Sequence, residues 1–576
     1  MSDEINGTSS PEHYAIGISF GNSYSSIAHI SAEGKVEVIA NEEGDRQIPS
    51  ILSYVDGEEY HGTQAKAQLV RNAKNTIASF KDYVGKQYKN IDPTPCHYSA
   101  HPVESDGTVV FSVQDKDGDT ASNVSVSEIT TRHVKRLRAS AADYTGKSIT
   151  SAVMTVPTDT TTEQKAALAK AAKDADIEIL QFISEPVAAL LAYDSRAPEA
   201  VRDRVIVVAD FGGTRSDAAV IVATGGGLYS IVATVHDYEL GGSSLDEVLM
   251  DHFAKEFEKK HKTDPRKNDR SMAKLKLESE AVKKALSQSA SATFSVESLA
   301  DGVDFRSTIN RTRFQLLSVK AFQRFTRMVE EVVKKAGLDV LNIDEVILSG
   351  GTSHVPKIAE NVQALFPETT QVFAPATSTA SLNPSELSAR GAAIQASMIQ
   401  EFDKEDIDQS THEMVTVTPH TQHAIGVQVT GDVADAFTVI VPAITAVPAR
   451  KTKTINVPEG DVLVVVSEGE SEIKVTKPEP KPKTNGATVE DAADDDDEDD
   501  EDDVEDEDEE VREKIYKVQK QIAEFQFKDL KKGAKLEVTV NIDSDLGVSI
   551  TAREVKGKGG VRGSLEKPKT TENGSA

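Results

Sequence analysis

Val208-Ala209-Asp210-Phe211-Gly212-Gly213-Thr214 is an apolar run that ends in an acid, a phenylalanine and a pair of glycines. The design recurs at Ile16-Gly17-Ile18-Ser19-Phe20-Gly21-Asn22-Ser23. A third apolar run, Val346-Ile347-Leu348, leads into Ser349-Gly350-Gly351-Thr352-Ser353. Glycine reaches positive φ and lets backbone N–H groups close on phosphate oxygens. One Gly-Gly alone is most simply a plain turn. Three of them, each ending an apolar strand, point to phosphate-holding loops, and the two similar hairpins point to a duplicated domain that faces a nucleotide across a cleft.

Outward from these turns, residues 14–400 alternate β-rich apolar runs with helix-patterned stretches, the signature of α/β layers. Tyr14–Phe20, Ala152–Val156, Val205–Val208 and Val346–Leu348 read as buried strands. Glu163–Asp176, Leu245–Lys260, Met272–Ser287 and Phe314–Ala336 read as helices, the last with an apolar stripe suited to core packing. Residues 1–13 are polar and read as a disordered start, and residues 401–414 as a polar, acidic linker. Beyond it the pattern turns to β: Met414–Val417, Ala424–Thr430, Phe437–Val441, Lys453–Val457, Val462–Ser467, Lys535–Ile542 and Gly547–Arg553. This predicts a small β-sandwich in two pieces, 415–476 and 511–565, split by an insert at 477–510 and followed by a tail at 566–576. Val511, Ile515, Val518, Ile522 and Phe525 fall at helical spacing and predict a short helix leading back into the sandwich.

Composition narrows the classes. The chain is 38% hydrophobic and 27% charged, ordinary values for a protein that buries real cores. Its net charge of -30 is mostly local: between Glu490 and Glu510 only Ala492, Ala493 and Val504 are not acids, and without those 18 acids the charge would be -12. A run of that kind is read first as a solvated, disordered insert. Contact with a basic partner surface, or with Lys556, Lys558 and Arg562, is the sharper alternative. Arg132, Lys135, Arg136 and Arg138 read as a solvated helix face, with RNA or a partner protein as the alternative. The single cysteine, Cys96, excludes an internal disulfide framework and the common cysteine-rich zinc sites. Neither a secretory signal nor an apolar run of membrane-spanning length is visible, so a cytoplasmic setting without a membrane is expected.

Further stretches make a resemblance plain: Phe80-Lys81-Asp82-Tyr83-Val84-Gly85-Lys86, Val156-Pro157, Ser184-Glu185-Pro186-Val187-Ala188-Ala189, Leu240-Gly241-Gly242, Glu280-Ala281-Val282-Lys283-Lys284-Ala285-Leu286-Ser287 and Asn383-Pro384. Together with the glycine turns they resemble the DnaK-type 70-kDa heat-shock chaperones, from about Tyr14 to Ser397. That resemblance implies an actin-like ATP-binding domain, a duplicated ribonuclease-H-like α/β fold, followed by a β-sandwich. Because the chain ends soon after its last expected strand, no helical lid is expected. By the same resemblance, Gly21, Asn22, Ser23, Tyr24, Gly212, Gly213 and Thr214 would cradle phosphates. Lys81 would reach the γ-phosphate and the attacking water, while Glu185, Asp210 and Asp217 would surround magnesium. Glu280, Lys283, Lys284 and Ser287 would hold adenosine, with Gly350 and Gly351 beneath it and Gly241, Gly242 and His354 close by.

The departures from the family pattern cluster on hydrolysis. Ser19 stands where the family has an aspartate, and a hydroxyl cannot replace a carboxylate in orienting a metal's water shell. Asn22 replaces a threonine. Thr214 replaces a glycine, and Arg215 replaces the small hydroxyl residue beside the γ-phosphate. His354 replaces an arginine and Ser385 an acid. The family's leucine-rich linker is replaced by Phe402-Asp403-Lys404-Glu405-Asp406-Ile407-Asp408-Gln409, which removes the apolar strip that would dock. Phosphoryl transfer depends on positioned charge and a positioned water, so the expectation is ATP held with little turnover. These features are similar to the atypical branch of the family found in the fungal ribosome-associated complex. That likeness implies a stable J-domain partner (zuotin), the ribosome, and functional cooperation with a conventional heat-shock chaperone. An active peptide-capturing ATPase is the alternative, favoured by the retained Lys81, Glu185, Asp210 and Asp217. A sugar kinase on the same fold is discouraged by the β-sandwich.

Overall fold

A computed structural model describes residues 14–92, 99–114, 121–196, 203–224, 228–400, 402, 405–407, 421–429, 437–445, 447–476, 511–543, 547–555 and 560–565. Cys96, the segment 1–13, the expected strand at 414–417, the insert at 477–510, Lys556, Lys558 and the tail lie outside the described residues. The chain divides into two compact units, 1–417 and 418–576.

The first unit contains the same five-strand plan twice. In its first half the strands lie in the order Glu178–Ser184, Ile149–Val156, Tyr14–Phe20, Tyr24–Ile30, Val36–Ile39. Tyr14–Phe20 pairs parallel with Ile149–Val156 and antiparallel with Tyr24–Ile30. In the second half the order is Gln371–Phe373, Glu345–Ser349, Arg204–Phe211, Ser216–Ala223, Tyr229–Asp237. Arg204–Phe211 again pairs parallel on one side and antiparallel on the other. The duplication expected from the two glycine hairpins is therefore present strand for strand. Central strands buried on both faces read as near-continuous apolar runs, and Ile16, Ile18, Phe20, Val207, Ala209 and Phe211 are all fully buried. Each half has its own core.

The helices follow the apolar stripes, with one correction. The expected helix Phe314–Ala336 is two helices, Arg311–Leu317 and Val319–Lys335. The break falls at Ser318, where φ is -99° and ψ is 8°. Past it, Phe322, Phe325, Met328, Val329, Val332 and Val333 form the buried stripe, and Phe325 meets the Phe211 ring at 4.9 Å. Removing so buried an aromatic ring costs about 3–5 kcal/mol, which ties this helix to the strand that carries the second glycine turn. Among the described residues no helix is long and apolar enough to cross a membrane.

A second correction concerns the linker. Ile407 is 5% exposed and packs with Ala188, Ala392, Ala396 and Ile399 at the base of the first unit. One apolar side chain thus docks there although the leucine-rich strip is missing.

In the second unit two four-stranded antiparallel sheets enclose an apolar core. One holds Thr438–Val441, Ala424–Val429, Gly460–Thr476 and Val511–Leu530. The other holds Ala449–Asn456, Lys535–Ile542, Val548–Glu554 and Gly560–Leu565. Every described element beyond residue 417 is a strand. The helix expected around Val511–Phe525 is overturned: Val511–Leu530 is a 20-residue strand along Gly460–Thr476. Three register shifts interrupt that ladder, two of them between Val518 and Ala523, so strict two-residue alternation is lost there. Among the described residues Val511–Leu530 pairs only with Gly460–Thr476 and so lies at the edge of its sheet, and Lys517 and Lys520 stand opposite Glu470 and Glu468.

Candidate functional site

The three glycine turns meet at one place in the first unit. Gly350 has φ +82°, and a Cβ there would lie 2.4 Å from the Phe211 carbonyl oxygen, so only glycine permits this approach. A Cβ on Gly213 would lie 2.3 Å from Ser23 Oγ, which puts the two phosphate-type loops in contact. Asn22 Nδ2 donates to Thr214 Oγ1 at 3.2 Å and to Asp82 Oδ2 at 2.7 Å. The Gly242 and Ser243 amides donate to the carbonyls of Gly212 and Gly213 at 3.0 and 2.8 Å, and Thr352 Oγ1 donates to Gly212 O at 2.8 Å. Behind the first loop, Ser50 Oγ donates to Gly21 O at 2.7 Å, and Ser25 Oγ links Ser50 to buried His133 Nε2, each contact 2.9 Å.

Four carboxylates gather beside these loops. Glu185 opens the helix Glu185–Asp194, and Lys81 Nζ approaches it at 3.5 Å. Asp210 ends its strand directly opposite Asp217 and accepts from Ser349 Oγ at 2.7 Å. Burial, and then the Glu185 charge, push the Asp210 carboxyl well above the usual carboxylate range; burial raises Glu185 as well. Glu185, Asp210 and Asp217 line a cavity of about 10 Å³, the room of a single water molecule. The fourth, Asp159, follows the Val156-Pro157 step.

Arg215 lies among these acids. Its Nε donates to Asp217 Oδ2 at 2.8 Å and its Nη2 to Asp217 Oδ1 and, at 3.0 Å, to Asp159 Oδ1. His236 Nδ1 is 2.5 Å from Asp217 Oδ1. Asp159, Asp217 and His236 are close enough together to hold a cation, and the Arg215 guanidinium already supplies a positive charge there. Magnesium, which Hsp70-type nucleotide sites generally use, fits the surplus negative charge of Asp210 and Glu185. Asp217 fits less well, because Arg215 engages both its oxygens. Ser19, at the end of its strand, has the neutral partners Thr155 and Ser26 in register.

The residues expected at adenosine form a second cluster. Lys66 Nζ and Lys284 Nζ lie 2.6 and 2.8 Å from the Glu280 carboxylate, and the Tyr24 hydroxyl donates to it. Both lysines also donate to the Tyr24 oxygen and lie over its ring. Burial works against the charge of Glu280, but its two lysines hold it well below the usual range. Lys66 is instead lowered, by burial first and also by Lys284, against the pull of Glu280. Lys283 turns inward, 2.7 Å from Asp246 and donating to Gly242 O at 2.8 Å. Ser287 Oγ donates to Lys283 O at 3.1 Å. His354 Nε2 lies 3.1 Å from both Asn383 Oδ1 and Ser385 Oγ, so two departures from the family pattern are partners; burial lowers the His354 pKa. Gly351 heads the turn that carries His354.

Reading the sequence missed Lys66, Asp159, His236 and Tyr238. Asp159 and Tyr238 sit within two residues of stretches singled out there, Val156-Pro157 and Leu240-Gly241-Gly242, and that proximity is the signal that could have found them. The three arginines of the basic helix face have partners within the chain: Arg132 with Glu59 and Glu128, Arg136 with Glu42, Arg138 with the Ile149 carbonyl.

Comparison with known proteins agrees with this geometry. The family described as Hsp70 protein matches residues 15–481. The chain is 43% identical to "Ribosome-associated complex subunit SSZ1" of Saccharomyces cerevisiae, over 96% of this chain and 99% of that protein. It is also 43% identical to "Heat shock protein 70 homolog C57A7.12" of Schizosaccharomyces pombe, over 95% of each chain. "Heat shock 70 kDa protein 14" of Danio rerio is 31% identical, over 77% of this chain and 86% of that protein. With a duplicated α/β nucleotide fold, a β-sandwich behind it and a match across most of its length, the chain belongs to the Hsp70 family.

Proposed function

We propose that this chain is a chaperone-type subunit of a ribosome-associated complex that holds ATP with little or no hydrolysis and works through a stable J-domain partner of the zuotin kind. Nascent-chain folding would then be assisted through a conventional Hsp70 that the complex stimulates. The observation that carries the low turnover is Arg215. Its guanidinium is bound to Asp217 and Asp159 on the side where an attacking water would need room and a free carboxylate. Ser19, between neutral neighbours, supplies no charge to compensate.

In this reading Gly21, Asn22, Gly212, Gly213 and Thr214 hold phosphates, and Lys81 neutralises the terminal one. Tyr24, Glu280, Lys284 and Ser287 shape the adenosine end. Asp210 and Glu185 would hold magnesium, which would neutralise phosphate charge. The partner half of the reading is supported by the name of the relative that matches over nearly its full length. Bound nucleotide would act as a structural ligand, adding about 2.7 kcal/mol to the folded state at 100-fold saturation.

Single-turnover hydrolysis by the purified chain tests the first half; release of product at the rate of an ordinary Hsp70 would sink it. Affinity purification from cytosol, probed for a J-domain protein and for ribosomes, tests the second, and recovery of neither would overturn it. The active-ATPase reading draws on one observation, the retained Lys81–Glu185 approach at 3.5 Å beside Asp210, and the same turnover assay decides between the two.

A further inference from the structure

Asp159 belongs to the first half of the nucleotide-type domain, and Arg215 and Tyr238 belong to the second. Asp159 uses both oxygens across that divide: Oδ1 accepts from Arg215 at 3.0 Å, and Oδ2 accepts from the Tyr238 hydroxyl at 2.6 Å. The Arg215 guanidinium lies over the Tyr238 ring, 4.7 Å from its centre. Each member therefore touches the other two. Asp159 and Arg215 keep only 26% and 18% of their side-chain surface exposed, so their attraction is partly shielded from solvent. Burial works against the Asp159 charge, yet the Tyr238 hydroxyl and Arg215 hold its carboxyl below the usual range.

A guanidinium on a long side chain has many rotamers, and fixing one of them requires partners. Asp217, beside Arg215 on the same hairpin, fixes it within the second half only. Asp159 fixes it to the first, and Tyr238, from the second half, holds the other oxygen of Asp159 in place. We propose that Asp159 and Tyr238 are positioning residues that clamp Arg215, join the two halves on the phosphate side and thereby set how long nucleotide is retained. This rests on the nucleotide-holding reading above. The clamp needs no γ-phosphate for its closure, since all three groups belong to the chain.

The test is the release rate of a fluorescent ATP analogue from the full chain, at low and high salt, for wild type, Asp159→Asn, Tyr238→Phe and the double variant. Asp159→Asn is expected to release about tenfold faster, the scale of one charge-assisted hydrogen bond. Tyr238→Phe should release about threefold faster, the scale of one neutral hydrogen bond. The double variant should release less fast than the product of the two single effects, because both changes act through Asp159. Salt should speed release from wild type and not from Asp159→Asn, a response that mere loosening of the fold would not give. Unchanged release in both single variants, or additive effects in the double, would overturn the clamp. Tyr238 is 62% exposed, so its variant keeps the test decisive should Asp159→Asn fail to fold. Wild type that retains no analogue at all would overturn the nucleotide reading together with the clamp, whereas retention insensitive to these changes overturns the clamp alone.

Discussion

Two clusters join the halves of the nucleotide-type domain, and they are built differently. In the cluster expected at adenosine, Glu280 faces Lys66, Lys284 and Tyr24, two cations and a hydroxyl around one acid. In the cluster beside the expected phosphate loops, one cation, Arg215, faces Asp217 and Asp159. In the first cluster Tyr24, Glu280 and Lys284 are in line with the family pattern, whereas the second is centred on Arg215, a departure from it. An acid with surplus cations stays ionised and fixed, and suits a neutral base and ribose that need a rigid wall. A cation shared between acids lowers local negative charge and fills space, which on the proposed reading suits holding phosphate better than cleaving it.

The contrast is broken most severely at Glu280. Glu280→Ala should cost about 3 kcal/mol, because it leaves Lys66 partly buried without its acid; urea unfolding would read this, and a loss near zero would mean that the adenosine cluster is ornamental. Next is pH. His133, fully buried behind the first phosphate-type loop, is lowered by burial from 6.5 to about 3. Its folded form binds fewer protons than the unfolded chain between those values, so its contribution is complete above pH 6.5 and falls as pH drops toward 3. The slope is about 1.4 kcal/mol per pH unit. Asp210 and Glu185, shifted upward, act in the opposite direction. The clean measurement is therefore the difference between wild type and His133→Leu at each pH, and parallel curves would refute the assignment.

Smaller still is the effect on chemistry. Restoring a carboxylate and removing the guanidinium together, Ser19→Asp with Arg215→Thr, should raise single-turnover hydrolysis about tenfold, or about 1.4 kcal/mol of barrier. Either change alone should do less, and a double variant as slow as wild type would place the block elsewhere. The mildest is His354→Ala, about 0.5–1 kcal/mol for loss of neutral hydrogen bonds to Asn383 and Ser385, read from thermal unfolding with and without ATP.

What could be read beforehand follows from how far apart the partners are in the chain. Tyr14–Phe20 and Lys535–Ile542 were legible to the residue, because each is a local apolar pattern bounded by turn residues. The glycine turns were legible because backbone geometry demands them. Lys66 with Glu280, and Arg215 with Asp159, are pairs formed by topology, and no local spacing announces them. Val511–Leu530 was misread for a related reason: its register shifts are visible only beside Gly460–Thr476. Ile407 was overlooked because one apolar side chain in an acidic stretch makes no pattern.

The edge position of that long strand bears on how the protein behaves in a crowded solution. A strand at the edge of a sheet invites a second copy to stack alongside and start a fibre-like aggregate, and the three register shifts in its ladder bend this one away from a flat template. Ile515 and Val518 are partly exposed on this strand, so the backbone invitation is accompanied by sticky side chains. Lys517 and Lys520 act as gatekeepers, since a neighbour adding in register would bring like charges face to face. Replacing both with threonine should leave the circular dichroism unchanged and make light scattering climb more steeply with concentration than in the wild type.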